Sequence, residues 1–192
     1  MDMVDAPQPK LRWYQHSARS PLLFLLLLSV SWFVLEMVVA GEQKAVVEEI
    51  ENLGGVVWYD YQFDASGAEI PGAVPPADPW LRWLLGDDLF TNVTKLYVRQ
   101  FTDSQIARLK GLSRLQWLDL TETAVTDAGL EHLKGLTQLH TLNLRATRVT
   151  DAGLEHLKGL TKLQSLDVRS TQVTGAGVES LRKVLPNCSM DR

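Results

Sequence analysis

The side chains with the richest chemistry occur in pairs. His132 and His156, Glu131 and Glu155, and Asp127 and Asp151 are each 24 residues apart. Imidazole with carboxylate is a donor set for zinc and related ions. Stacking the two stretches would bring Glu131, His132, Glu155 and His156 near one another. A plainer explanation competes: near-identical segments copy their solvated faces along with their cores, and the pairs then hold nothing. The plainer explanation is adopted, so the expectation is no metal and no cofactor. No glycine-rich phosphate loop, H-E-x-x-H, C-x-x-C or G-x-S-x-G motif occurs. The remaining histidines, His16 and His140, belong to no such pair. Cys188 is the only cysteine, which excludes an internal disulfide and a cysteine zinc cluster. With no nucleophile–base pair, no enzymatic activity is expected.

A repeat carries the binding chemistry. The segment TDAGLEHLKGLT begins at Thr126 and again at Thr150. Around it runs the frame L-x-x-L-x-L: Leu115, Leu118, Leu120; Leu139, Leu142, Leu144; Leu163, Leu166, Val168. Leu118 and Leu120 alternate with Trp117, Asp119 and Thr121, the period-2 signature of a short strand with one buried face. The outward set is Lys95, Tyr97, Arg99 and Gln100, then Trp117, Asp119, Thr121 and Glu122. It continues with Thr141, Asn143 and Arg145, and then Ser165, Asp167, Arg169 and Ser170. A one-residue slip burying Trp117 would expose all three leucines, so the tryptophan is expected on the concave, solvent-facing side. Tryptophan beside tyrosine and arginine has the composition of an interface hot spot. It is equally the composition of a large ring leaning on its neighbours above an ordinary polar sheet. Both readings stay open. The partner-binding candidates are Tyr97, Arg99, Trp117, Asp119, Asn143, Arg145, Asp167 and Arg169.

These residues need a scaffold, and each repeat can build one layer of it. After the strand, Thr123 and Val125 are expected inside, and Thr126 can cap a helix starting at Asp127. Leu130 and Leu133 share a helical face. Lys134 and Gly135 are expected to close the helix, with Gly135 in a left-handed conformation. One strand and one helix cannot bury an apolar face alone, so the copies must stack, their strands forming one parallel sheet.

The rest of the chain leads to that array. Of 192 residues, 45% are hydrophobic and 22% charged, enough for one modest domain with an appendage. Residues 41–90 carry 2 basic and 10 acidic side chains, and residues 91–192 carry 14 and 10. An acidic segment beside a mildly basic one is not a nucleic-acid footprint. Residues 1–20 are polar and irregular, with basic Lys10, Arg12 and Arg19. The run 22–40 is apolar apart from Glu36 and two serines, just long enough to span a bilayer. Basic residues before it and acidic ones after it place the amino terminus in the cytoplasm and the repeats outside. Glu36 is read as a side chain near the outer interface. Val38-Val39-Ala40 also fits a signal-peptide cleavage site, in which case the product is secreted. The anchor reading is preferred because Val46, Val47, Ile50 and Leu53 continue the helix beyond residue 40. Gly54-Gly55 ends that helix, VVWYDYQF (56–63) reads as a strand, and 64–79 as a loop or linker. PWLRWLLGDDLF opens on a short apolar helix. Trp58, Trp80 and Trp83 are expected to seal the open end of the array, although such a cluster is also a possible ligand platform. The first repeat is two residues short, and Pro186 ends the last helix before a final incomplete strand at Cys188 and Met190.

With LxxLxL followed by T-x-V-T-D-A-G-L-E-H-L-K-G-L, residues 91–190 resemble the leucine-rich-repeat superfamily. RWYQHSARSPLLFLLLL, the helix into NLGGVVWYDYQF, and PWLRWLLGDDLF together resemble short bacterial membrane-anchored proteins of that kind. The resemblance implies an α/β leucine-rich-repeat solenoid with parallel strands on the concave face and helices on the convex face. It implies an N-terminal α+β cap (41–90), one transmembrane helix (21–40), a cytoplasmic tail (1–20) and about four repeats (91–192). It brings no enzymatic activity. One departure is that Thr123, Thr147 and Thr171 stand where the superfamily often places asparagine or cysteine, and threonine reaches less far. The functional expectation is a membrane-anchored scaffold binding a protein, with a glycan as another possible partner. The alternative is a structural envelope protein that associates with itself.

Overall fold

The computed structural model describes residues 21–85 and 91–192, without the side chains of 21–27, 36 and 39. The expected cytoplasmic tail (1–20, including His16) and residues 86–90 lie outside the described residues. The chain divides into two compact units, 1–38 and 39–192. A single helix, α1 (Pro21–Asn52), continues from the apolar run into the acidic segment. Among the described residues no helix is long and apolar enough to cross a membrane.

Among the described residues of the second unit, six strands form one sheet in sequence order. They are β1 (Val56–Tyr59), β2 (Val93–Tyr97), β3 (Trp117–Asp119), β4 (Thr141–Asn143), β5 (Ser165–Asp167) and β6 (Ser189–Asp191). The pairs from β2 to β6 are parallel and in register, so Leu96, Leu118, Leu142, Leu166 and Met190 form one file. The first four of these are fully buried. Strand β1 joins antiparallel, with Trp58 opposite Lys95. The expected last strand forms as Ser189–Asp191, through Met190 and just after Cys188, which is buried.

Behind the sheet lie α3 (Asp103–Ile106), α4 (Asp127–Glu131), α5 (Asp151–Leu154) and α6 (Gly175–Val184). The first three are single α-turns, each continued by a 3-10 segment: Ala107–Gly111, His132–Gly135 and Glu155–Leu157. This is shorter than the continuous helix expected from Asp127 to Lys134. Neighbouring strands lie roughly 4.8 Å apart, whereas an α-helix with its side chains is about 10 Å wide. The narrower 3-10 coil fits the crossover better. The glycine expectation also fails, because Gly135 is not among the positive-φ residues. The turn closes instead through Leu136 N–H donating to Leu133 O and Thr137 N–H to Gly135 O. The left-handed residues fall after the strands, at Glu122 (φ 59°), Ala146 (55°) and Ser170 (57°).

The threonine cap is present and does more than close a helix. Thr126 Oγ1 accepts from Ala128 N–H, and Thr150 Oγ1 from Ala152 N–H. The same threonines reach back one repeat. Thr150 donates its N–H and hydroxyl to the two oxygens of Asp127 (2.8 and 2.6 Å). Thr126 does so to Asp103, and Thr174 to Asp151. Each aspartate therefore clamps the next repeat. The clamp explains the glycine of T-D-A-G: a Cβ on Gly129, Gly153 or Gly177 would run into the carboxylate of the preceding repeat. At the far end Gly175 replaces the aspartate, and the series stops there.

The near end is closed by α1, not by the aromatic cluster. Val47 and Ile50 are buried in the common core, with Val46, Leu53, Val57 and Tyr59 packed against it. Gln43 donates from Nε2 to Thr91 O (3.0 Å), and its Oε1 accepts from Val93 N–H (3.4 Å). Gly54 ends the helix at φ 72°, and a Cβ on Gly55 would collide with Ile50. Trp80 and Trp83, on α2 (Pro79–Leu85), are 62% and 86% exposed and seal nothing. A helical spacing of apolar residues fits equally well toward solvent when no core lies behind it. The strand expected over 56–63 stops at Tyr59. It turns through a 3-10 segment (Asp60–Gln62) into a small hairpin in which Phe63 pairs with Glu69.

Candidate functional site

The sheet face turned away from the helices carries three parallel rows, because in-register pairing aligns equivalent residues. The first row runs Trp58, Lys95, Trp117, Thr141, Ser165, Ser189, and the second Tyr97, Asp119, Asn143, Asp167, Asp191. Just beyond the strand ends come the exposed Arg99, Arg145 and Arg169. The structure therefore brings all eight sequence candidates onto one surface.

They do not have equal freedom there. Asp119 Oδ1 accepts from Thr121 N–H (2.8 Å), Asn143 Oδ1 from Arg145 N–H and Asp167 Oδ1 from Arg169 N–H (both 3.0 Å). These are Asx turns, the device by which Asn and Asp side chains substitute for a backbone turn. They lead straight into the left-handed residues. Thr123 Oγ1 then donates to Leu120 O (2.7 Å), and Thr147 and Thr171 repeat that bond to Leu144 and Val168. The threonine series thus bonds within each repeat, while hydrogen bonds between repeats come from backbone, the aspartate clamps, Asn143 Nδ2 donating to Asp119 Oδ2 (3.2 Å) and Lys162 Nζ donating to Gln138 Oε1 (2.6 Å). Asp119, Asn143 and Asp167 shape the surface first. The sequence signal for this is the recurrence of Asp or Asn at 119, 143 and 167, each at the end of its strand.

The arginines also differ. Arg169 forms a forked pair with Asp167, with Nε at 3.0 Å from both oxygens. That bond holds the Asp167 carboxyl below the ordinary carboxylate range and raises the guanidinium of Arg169. Arg99 donates from Nε to the Tyr97 hydroxyl (2.7 Å) and lies over its ring at 5.5 Å. Arg145 makes no side-chain hydrogen bond among the described residues and remains available to a ligand.

Trp117 is half-buried. Its indole meets Trp58 edge-on, with centroids 6.3 Å apart and planes at 86°, a favourable aromatic geometry. Lys95 Nζ sits 3.4 Å above the Phe63 ring. Trp58, Phe63, Glu69, Lys95 and Trp117 line a slot of about 290 Å³. No local pattern signals that the 63–69 hairpin forms a wall beside Trp117, because that contact spans about fifty residues of chain. Where the first repeat lacks two residues, an open cavity of about 700 Å³ lies beside Phe101, Arg108 and Glu122. Among the described residues no cluster of three or more His, Cys, Asp or Glu side chains could hold a metal.

The repeating strand, Asx turn, threonine-capped turn and buried leucine file define an α/β solenoid of leucine-rich repeats. A leucine-rich-repeat family model matches residues 159–181. The chain is similar to a leucine-rich-repeat protein of Leptospira interrogans, at 25% identity over 45% of this chain and 21% of that one, TM-score 0.37. It is similar to an internalin of Listeria monocytogenes, at 20% identity over 51% and 34%, TM-score 0.37. A third likeness is to the leucine-rich-repeat ectodomain of the receptor kinase SOBIR1 of Arabidopsis thaliana, at 17% identity over 79% and 91%, TM-score 0.41. The chain thus spans about a fifth and a third of the length of the first two. Comparison with curated proteins found no significant match.

Proposed function

We propose that this protein is a membrane-anchored scaffold that binds another protein through the sheet face built by β2 to β5. One observation carries the reading: Arg99, Arg145 and Arg169 stand exposed beyond Tyr97, Asn143 and Asp167 on one edge of the sheet, with Thr121 taking the equivalent place after Asp119. Arg145 and Arg169 project from turns fixed by Asx bonds, and Arg99 is held by the Tyr97 hydroxyl; a prearranged backbone and two tethered side chains lower the entropy cost of association. Arginine and tyrosine on a rigid frame are the residue types that dominate hot spots. The acidic partners they suit are carboxylate-bearing surfaces.

Anchoring is supported by the apolar run 22–40 lying within the helical span of α1, with basic residues before it and acidic residues after it. On this reading the repeats lie outside the cytoplasmic membrane. The test of binding is a comparison of full-length wild type, Arg145→Glu and Arg148→Glu. A partner captured from the membrane and envelope fraction of the producing cells is purified and titrated against each. Arg145→Glu should weaken its binding by about 2 kcal/mol or more, a hot-spot effect, and Arg148→Glu, on the far side of the turn, should not. Equal affinities for all three would refute the assignment of this face.

A further inference from the structure

The slot at the head of the sheet opens onto a second cavity of about 560 Å³, the two sharing Phe63 and Lys95. This region lies at the amino-terminal ends of the strands, away from the arginine file at their other ends. We propose that it is a saccharide-binding site for a linear, uncharged oligosaccharide, with one pyranose ring on Trp117. The inference does not depend on the protein-binding reading above.

The walls supply the two surfaces that a sugar ring requires. Trp58 and Trp117 offer aromatic surface to the apolar C–H face of a pyranose. Gln116, His140 and Gln164 line the second cavity, and each donates its backbone N–H or accepts at its carbonyl in the same inter-repeat series. They therefore recur at the strand spacing, roughly 4.8 Å, close to the rise of one pyranose unit along a β-linked chain. Gln116 and Gln164 make no side-chain hydrogen bond among the described residues, and both are exposed. Amide and imidazole groups donate and accept at once, which suits hydroxyls.

A second observation points to a ligand independently. Thr94 Oγ1 and His140 Nδ1 are buried without a hydrogen-bond partner among the described residues, and Thr94 is only 7% exposed. Both residues line the cavity. A buried polar group left unpaired is costly, and a ligand hydroxyl would relieve that.

Among the described residues the walls carry three carboxylates, Asp60, Asp64 and Glu69, against one cation, Lys95, which disfavours an anionic ligand. Asp60 is engaged by the Asn92 backbone and side chain, and Asp64 by Ser66 and Ala68, so both carboxylates hold the loop together. Those bonds keep the Asp64 carboxyl below its ordinary range. Lys95, stacked on Phe63, lines the same slot as Glu69 and supplies its cation. An extended peptide fits less well. Strand addition needs an unpaired sheet edge; β2 to β5 are each paired on both sides, and the free edge of β1 faces away from Trp117 on β3.

The test uses full-length protein in a zwitterionic detergent without sugar headgroups. Chitotetraose, cellotetraose, maltotetraose and β-mannotetraose are titrated in turn, with tryptophan fluorescence and calorimetry as readouts. At least one should bind, and Trp117→Ala should weaken it at least tenfold with an unchanged circular dichroism spectrum. Gln164→Ala, at a solvent-exposed position, should weaken it at least threefold and serves if the tryptophan variant misfolds. Failure of all four sugars to bind overturns the proposal, as does binding that survives both substitutions. Selection from a displayed peptide library of ligands that require Trp117, with no sugar bound, would overturn it in favour of a protein-docking slot. Arg145→Glu should leave sugar binding unchanged, so this result and the arginine test fail separately.

Discussion

Three residue types set the geometry of each turn, and each has a measurable consequence. The Asx residue bonds the amide two positions on, a left-handed residue follows, and a threonine returns its hydroxyl to the strand carbonyl. The left-handed position is occupied by Glu122, Ala146 and Ser170, none of them glycine. A Cβ there costs roughly 1–2 kcal/mol, while glycine loses about 0.5–1 kcal/mol through the unfolded chain. Ala146→Gly should therefore raise stability by up to about 1 kcal/mol, read as a higher midpoint in urea; a lower midpoint would mean that the turn is not strained. The Asp151 clamp responds to acid. Hydrogen bonds from Thr174 hold the Asp151 carboxyl below its ordinary range. A depressed folded pKa gives stability that is present above the unfolded value, near 3.9, and lost as pH falls through the folded value. Thermal midpoints should accordingly drop below about pH 4. Asp151→Asn should start lower at neutral pH and lose less over the acid interval. Parallel acid curves for the two proteins would show that the clamp contributes nothing.

At the scale of elements, leucine spacing specified the repeat well, and local context did not specify its edges. The period-2 alternation placed Leu118, Leu142 and Leu166 in one buried file, which pairing then confirms. Leu142→Ala should cost about 2–5 kcal/mol of a total near 5–15 kcal/mol, checked by chemical denaturation. A change under about 1 kcal/mol would mean a different register. Two features escaped the sequence for physical reasons. The T-D-A-G glycine is explained by a carboxylate one repeat earlier, a contact that no single-repeat argument contains. Trp80 and Trp83 carry the same apolar character as Val47 and Ile50, yet only the latter pair finds core behind it. Helical periodicity states which residues share a face and not what that face meets. The same holds at Trp117. Alternation put it outward, while its edge-on contact with Trp58 depends on β1 pairing antiparallel to β2, which nothing local encodes.

For the whole molecule, a rigid array of short layers closed at one end by α1 presents two chemically distinct ends of the same strands. At the carboxyl ends lie arginines over an Asx-bonded frame; at the amino ends lie aromatic rings beside neutral amides. If the apolar run is an anchor, the protein should stay with membranes through carbonate washing and leave them only with detergent. An amino terminus beginning at Gly41 in a soluble extracellular fraction would reverse that reading. The central claim is that the arginine file is the partner's footprint, and arginine-directed modification tests it most directly. Full-length protein is treated with phenylglyoxal, free and in complex with the purified partner, and modified sites are mapped by peptide mass spectrometry. The account predicts at least fivefold protection of Arg99, Arg145 and Arg169 in the complex, with Arg148 and Arg182 modified equally in both. Protection of Arg148 or Arg182 with the file left reactive would contradict it and move the interface to the helical side.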